Sequence, residues 1–133
     1  MRPATLAEAY ERIIAGDESG RPLSEFLDTF YLAPRERRPE TLQTEPPLTG
    51  DAHLDALAGA VAEYLARQYR LSAIPKWAFE PVRYLEHAWH TTSSEANAMR
   101  EYLAYASPAE FRSRNIFTEE RPLRRARAGL RQL

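Results

Sequence analysis

The residues best placed to do chemistry lie in R-Y-L-E-H-A-W-H. His87 and His90 stand three apart, a spacing that on a helix puts both imidazoles on one face, close enough to share a metal ion. A third ligand is then required. Glu86 lies about 100° round such a helix from His87, and Glu80 or Glu95 would reach the pair only through tertiary folding. The H-E-x-x-H order is absent. The simpler expectation is two half-exposed imidazoles beside Trp89, with no metal and no cofactor. A second set is Arg112, Arg114 and Asn115 in F-R-S-R-N-I-F, two guanidinium forks near a helix end between Phe111 and Phe117. Such forks suit phosphates or a partner's carboxylates, and arginine beside aromatics is the usual make-up of an interface hot spot. The other reading anchors Phe111 and Phe117 in the core and pairs the arginines with Glu110, Glu119 or Glu120. No P-loop, GxGxxG, G-x-S-x-G or EF-hand loop is present.

Arg83 and His90 make an R-x6-H pair, in which the imidazole would exchange protons near neutral pH while the guanidinium holds phosphate. The pair resembles the R-x(4–6)-H pattern of the HEPN ribonucleases. That resemblance implies an all-α ribonuclease with Arg83 and His90 as its catalytic residues, the enzymatic alternative for this chain.

Positioning these residues falls to a series of short helices. Thr5-Leu-Ala-Glu8 is a capping box opening a helix to about Ile14, with Leu6, Ala9, Tyr10, Ile13 and Ile14 as its stripe. A second helix has Pro22 near its start and the sharpest amphipathic face in the chain: Leu23, Phe26, Leu27, Phe30 and Tyr31. That face packs on the core or lies in a partner's groove. Residues 33–50 hold Pro34, Pro39, Pro46 and Pro47 around a charged R-E-R-R, and prolines at this density predict an extended linker without a helix. Residues 1–32 then form a semi-independent arm, 33–50 a linker and 51–133 the core domain.

The longest helix is predicted from Asp51, its cap, to about Tyr69, with Leu54, Leu57, Ala58, Val61 and Leu65 on one face and small flanks at Ala56, Ala60 and Ala62. His53 belongs to its exposed first turn. Trp77-Ala-Phe79 precedes a helix opened by Pro81 and carrying Val82, Tyr84, Leu85, Ala88 and Trp89. Ser94 starts another, with Ala98, Met99, Tyr102, Leu103 and Ala106 buried. Ser107-Pro-Ala-Glu110 is a second capping box, Phe111 points inward, Asn115 ends the short helix in the left-handed region, and Ile116-Phe117 folds back on the core. Thr118 caps a last helix with Leu123, Ala126 and Leu130 on one side. No strand of convincing length appears. The expected fold is all-α, a compact bundle of six or seven short helices.

Length and composition narrow the functional classes. A chain of 133 residues with 44% hydrophobic side chains can build its own core. It has no cysteine, which excludes disulfides and thiolate metal sites. No apolar run approaches a membrane span. M-R-P-A-T-L-A-E-A-Y lacks an apolar signal core, so a cytoplasmic location is expected. Arginine supplies 17 of the 18 basic residues, Lys76 being the only lysine, a bias in keeping with a bacterial source. The net charge is −1, yet residues 111–133 hold seven basic and two acidic side chains. Arg121, Arg124, Arg125, Arg127 and Arg131 give this segment its character. It is either a solvated basic face or a nucleic-acid contact, which makes a DNA-binding regulator a further alternative.

From Glu45 to Phe117 the motifs E-P-P-L-T-G-D, P-x-W, R-Y-L-E-x-x-W and S-P-A-E-F-R-x-R-N-I-F are similar to those of small bacterial proteins that resemble ones encoded beside nucleotidyltransferase-like toxins or fused to regulator-type N-terminal modules. The resemblance implies an antitoxin-like or regulatory partner protein and carries no catalytic residues. The resulting expectation is a non-catalytic interaction module whose partner is a protein, such as a toxin encoded by a neighbouring gene, with a homodimer as a further form of association. Leu23, Phe26, Leu27, Phe30, Tyr31, Trp77, Arg112 and Arg114 are the residues expected to carry the contact.

Overall fold

The structure, a computed structural model, describes residues 2–17, 20–91 and 107–118. It is helix-dominated. Helix α1 spans Leu6–Ile14, α2 Gly20–Leu32, α3 Arg38–Gln43, α4 Ala52–Gln68 and α5 Ala109–Arg112. Single 3-10 turns cover Arg35–Arg37, Lys76–Phe79 and Pro81–Arg83, and two short strands, β1 (Trp89–His90) and β2 (Ile116–Phe117), pair in parallel.

The helix starts follow their caps. Thr5 Oγ1 accepts from the Glu8 amide at 3.0 Å, while the Glu8 carboxylate accepts from the Ala4 amide at 2.9 Å, so the reciprocal bond of the capping box falls one residue before the cap. Asp51 accepts from the His53 and Leu54 amides and opens α4. The ends of α1 and α4 share one backbone solution. Gly16 and Asp17 donate to Ile13 and Arg12, and Arg70 and Leu71 donate to Arg67 and Ala66. Both are Schellman motifs, which require a left-handed residue after the cap. In α1 that residue is Gly16 (φ +114°); in α4 it is Arg70 (φ +54°), where a side chain costs about 1–2 kcal/mol.

The N-terminal arm is not separate from the body. Leu6, Ala9, Tyr10, Phe26 and Phe30 are buried together with Leu42, Ala58, Val61, Ala62, Leu65 and Trp77 in one apolar cluster. The Tyr10 hydroxyl donates to the Leu54 carbonyl at 2.6 Å, tying α1 to α4, and burial pushes that hydroxyl well above the ordinary tyrosine range. Nor is 33–50 a helix-free linker. Pro39 occupies the second position of α3, where a missing N–H costs nothing. Arg38 donates to the Phe30 and Tyr31 carbonyls at the end of α2 and lies over the Phe30 and Tyr69 rings. The prolines punctuate this segment without unfolding it, because one turn of helix plus a guanidinium cap satisfies its backbone.

The helix expected from Pro81 through Trp89 is replaced by a 3-10 turn and extended chain ending in β1. The neighbouring 107–118 segment explains why. Trp89 and Thr91 donate to the Asn115 and Phe117 carbonyls, and the Asn115 amide donates to the Leu85 carbonyl. Those strand-like bonds take the backbone groups a helix would have used. Asn115 has φ +65°, the left-handed turn expected of it. Phe111 and Ile116 are buried against Ala56 and Ala60. Ser107 does not cap α5; its hydroxyl accepts from the Thr118 amide and donates to the Thr118 carbonyl, clasping the two ends of the segment. The helix predicted from Ser94 and the one predicted after Thr118 lie outside the described residues. No helix among the described residues is long and apolar enough to cross a membrane.

Candidate functional site

Helix α4 is apolar toward α1 and α2 and small on its other side, at Ala56, Gly59 and Ala60, with the buried Glu63 one turn on. A mid-helix glycine costs about 1 kcal/mol relative to alanine, so Gly59 needs a reason. A Cβ there would stand 2.9 Å from Arg83 Cβ, 3.0 Å from the Ala78 carbonyl oxygen and 3.0 Å from Arg114 Nε. The glycine exists to let two arginines and the 3-10 turns reach the helix backbone.

Both arginines are fully buried. Arg114 donates to the Glu63 carboxylate at 2.7 Å, the Glu110 carbonyl at 2.8 Å and the Ala78 carbonyl at 2.6 Å. Arg83 donates to the Asp55 carbonyl, the Pro46 carbonyl and the Glu45 carboxylate. Aromatic rings complete the cage. The Arg83 guanidinium lies 5.0 Å from the Trp77 ring centre, and that of Arg114 lies 4.6 Å from Tyr84 and 5.9 Å from Phe79. The Nε of each arginine has no hydrogen-bond partner. Desolvating such charges costs several kcal/mol per ion. A carboxylate, carbonyls and ring faces offset that cost, and they come from five separate parts of the chain. At the edge of the network, hydrogen bonding to Glu45 raises the carboxyl pKa of Glu80, with Arg83 opposing.

The network fixes the backbone of residues 78–84 and leaves its outer side chains in solvent. Phe79 and Val82 are each 44% exposed. Val82, Tyr84 and Leu85 line an open groove of about 540 Å³ with His53, Glu86 and His87. The His53 ring stacks on Trp89 at 4.4 Å and 7°, forming one wall. The groove thus sets exposed apolar side chains on a held backbone, with a few polar groups at its rim.

The residues singled out from the sequence separate accordingly. His87 is exposed in the groove, whereas His90 stacks on Phe117 in the strand pair. No helical face brings the two together, and no group of three or more His, Asp or Glu among the described residues could hold a metal ion. Arg83 cannot serve with His90 as a phosphate-binding catalytic pair, because its guanidinium is buried and committed. Arg114 is not a contact residue for the same reason. Phe26 and Phe30 lie in the core, Leu23, Leu27 and Tyr31 pack half-buried against it, and the Trp77 indole donates to the Leu42 carbonyl. Of the expected contact set, Arg112 alone is exposed. Arg121, Arg124, Arg125, Arg127 and Arg131 lie outside the described residues. Sequence reasoning passed over Gly59, Glu63, Asp55, Glu45 and Arg38. The glycine inside A-L-A-G-A was the available signal, since it marks a close approach. No family model, no curated protein and no solved structure matches the chain.

Proposed function

We propose that this chain is a non-catalytic protein-interaction module, an antitoxin-like or regulatory subunit, and that it meets its partner through the Phe79–Val82 turns and the adjoining groove. One observation carries the reading: two buried guanidiniums hold residues 78–84 from beneath while Phe79 and Val82 stay exposed. A surface fixed before binding loses little conformational entropy on association, and that is where affinity is gained. The aromatic–arginine segment then supports the contact instead of making it. The resemblance of Glu45–Phe117 to proteins encoded beside toxins suggests the kind of partner, and the absence of cysteine fits a cytoplasmic setting.

Affinity purification of the tagged full chain from its host tests this. The wild type is expected to retain a stoichiometric protein, and Val82→Asp to lose it while keeping the wild-type circular dichroism spectrum. A wild type that recovers nothing, or a variant that retains the partner in full, rejects the reading.

A further inference from the structure

The opposite end of α4, about 25 Å away, carries a second and differently charged groove. Two open cavities of about 470 and 200 Å³ share Pro39 and Ser72, so they form one continuous furrow between α3 and the chain after α4. Arg35, Arg38, Arg70 and Lys76 line it, against one carboxylate, Glu36. The chain as a whole has a net charge of −1, so this concentration of cations is local. Among the described residues, Arg35, Arg70 and Lys76 take part in none of the ion pairs. Arg70 adds an independent sign. It occupies the left-handed position that α1 gives to Gly16, a conformation that is costly for a side chain and that clusters at active sites and ligand clamps.

Resting on the reading of the chain as an interaction module, we infer that this furrow binds an acidic segment of a partner protein, one in which carboxylates alternate with small apolar side chains. Arg35 and Arg70 supply forks for the carboxylates and Lys76 a point charge, while Arg38 is held by the Phe30 and Tyr31 carbonyls. Pro39, Ala73 and Pro75 supply apolar walls between them. A single-stranded nucleic acid would need open ring faces for its bases, and the rings here are occupied. Tyr69 packs against Phe30, Tyr31 and Arg38, and the buried Trp77 carries Arg83 on its face.

The only lysine lies in the furrow, so amine acetylation read by mass spectrometry reports its occupancy directly, with the N-terminal amine as internal reference. The probe is a fluorescein-labelled peptide alternating glutamate and valine, compared with a single-stranded oligonucleotide of similar length, both at low salt. The peptide is expected to bind the full chain and to slow Lys76 acetylation several-fold. Arg70→Glu is expected to weaken binding about tenfold. Arg70→Gly should weaken it less while leaving the melting temperature unchanged or raised, which separates the loss of a cation from a loss of fold. No binding at low salt, equal binding by wild type and Arg70→Glu, or stronger protection of Lys76 by the oligonucleotide overturns the inference. If the peptide fails while the host partner is still recovered and still lost on Val82→Asp, only the furrow is wrong. If a partner is recovered and Val82→Asp retains it in full while the peptide binds through Arg70, only the Phe79–Val82 surface is wrong.

Discussion

On one face of α4, Ala58, Val61, Ala62 and Leu65 bury against Leu6, Tyr10, Phe26 and Phe30. On the other, Gly59 and Glu63 receive Arg83 and Arg114, beside a smaller buried cluster of Ala56, Ala60, Phe111 and Ile116. The first face is held by area removed from water, which is non-directional and tolerant of similar shapes. The second is held by directional bonds to buried charge, where every acceptor must find its donor. The directional face is the one beneath the exposed turns, because hydrogen bonds fix a backbone in a way that area alone does not.

Matched truncations put that comparison under the greatest strain. Phe30→Ala should cost about 3–5 kcal/mol through the cavity it leaves. Arg114→Ala should cost about the same, since it strands the Ala78 and Glu110 carbonyls and leaves Glu63 with Arg67 alone. Arg114→Lys should recover little, because an ammonium does not reproduce the planar fork. Urea denaturation measures all three, and an Arg114→Ala cost below about 1 kcal/mol, the range of a surface ion pair, would erase the distinction between the faces. Gly59→Ala comes next. Helix propensity favours alanine by about 1 kcal/mol, but the contacts at 2.9 and 3.0 Å involve Arg83 Cβ and a backbone oxygen, neither of which yields cheaply. A net loss of about 1–3 kcal/mol follows, and a stabilised variant would show that the arginine face is loosely packed.

Smaller effects sharpen the picture at the edges. Arg70→Gly should stabilise the chain by about 1 kcal/mol by placing glycine in the left-handed position, as in α1. The smallest effect belongs to Glu80. Its folded-state pKa is raised by hydrogen bonding to Glu45. Its contribution is therefore fully present below the ordinary glutamate range and lost as pH rises through the raised value. Glu80→Gln should remove that part of the pH dependence, so that stability no longer loses this contribution as pH rises from acid toward neutral. An unchanged slope in pH-dependent urea titrations would remove the Glu45–Glu80 contact from the account.

The apolar half was legible in the sequence because its signal is periodic. Thr5, Asp51 and the Leu23–Tyr31 stripe predict α1, α2 and α4 within a residue or two of their observed ends. That stripe does not say what covers it, however, and the answer is the chain's own α1, α3 and α4 instead of a partner. The arginine half was not legible, because a guanidinium in a string such as F-R-S-R looks the same whether it is solvated or buried. Its partners, Ala78, Glu63 and Asp55, lie many residues away and follow no period. The Trp89–His90 strand was hidden for a related reason: only pairing with Ile116–Phe117 defines it. Asn115 is the exception, a local conformational preference that survived into the folded chain.

Amide hydrogen exchange on the free chain and on the complex recovered from its host tests the central claim most directly. Slowed exchange concentrated over residues 79–87, with α2 unchanged, is the expected result. Slowed exchange over residues 20–32, with 79–87 unchanged, would return the contact to the amphipathic helix and contradict the account.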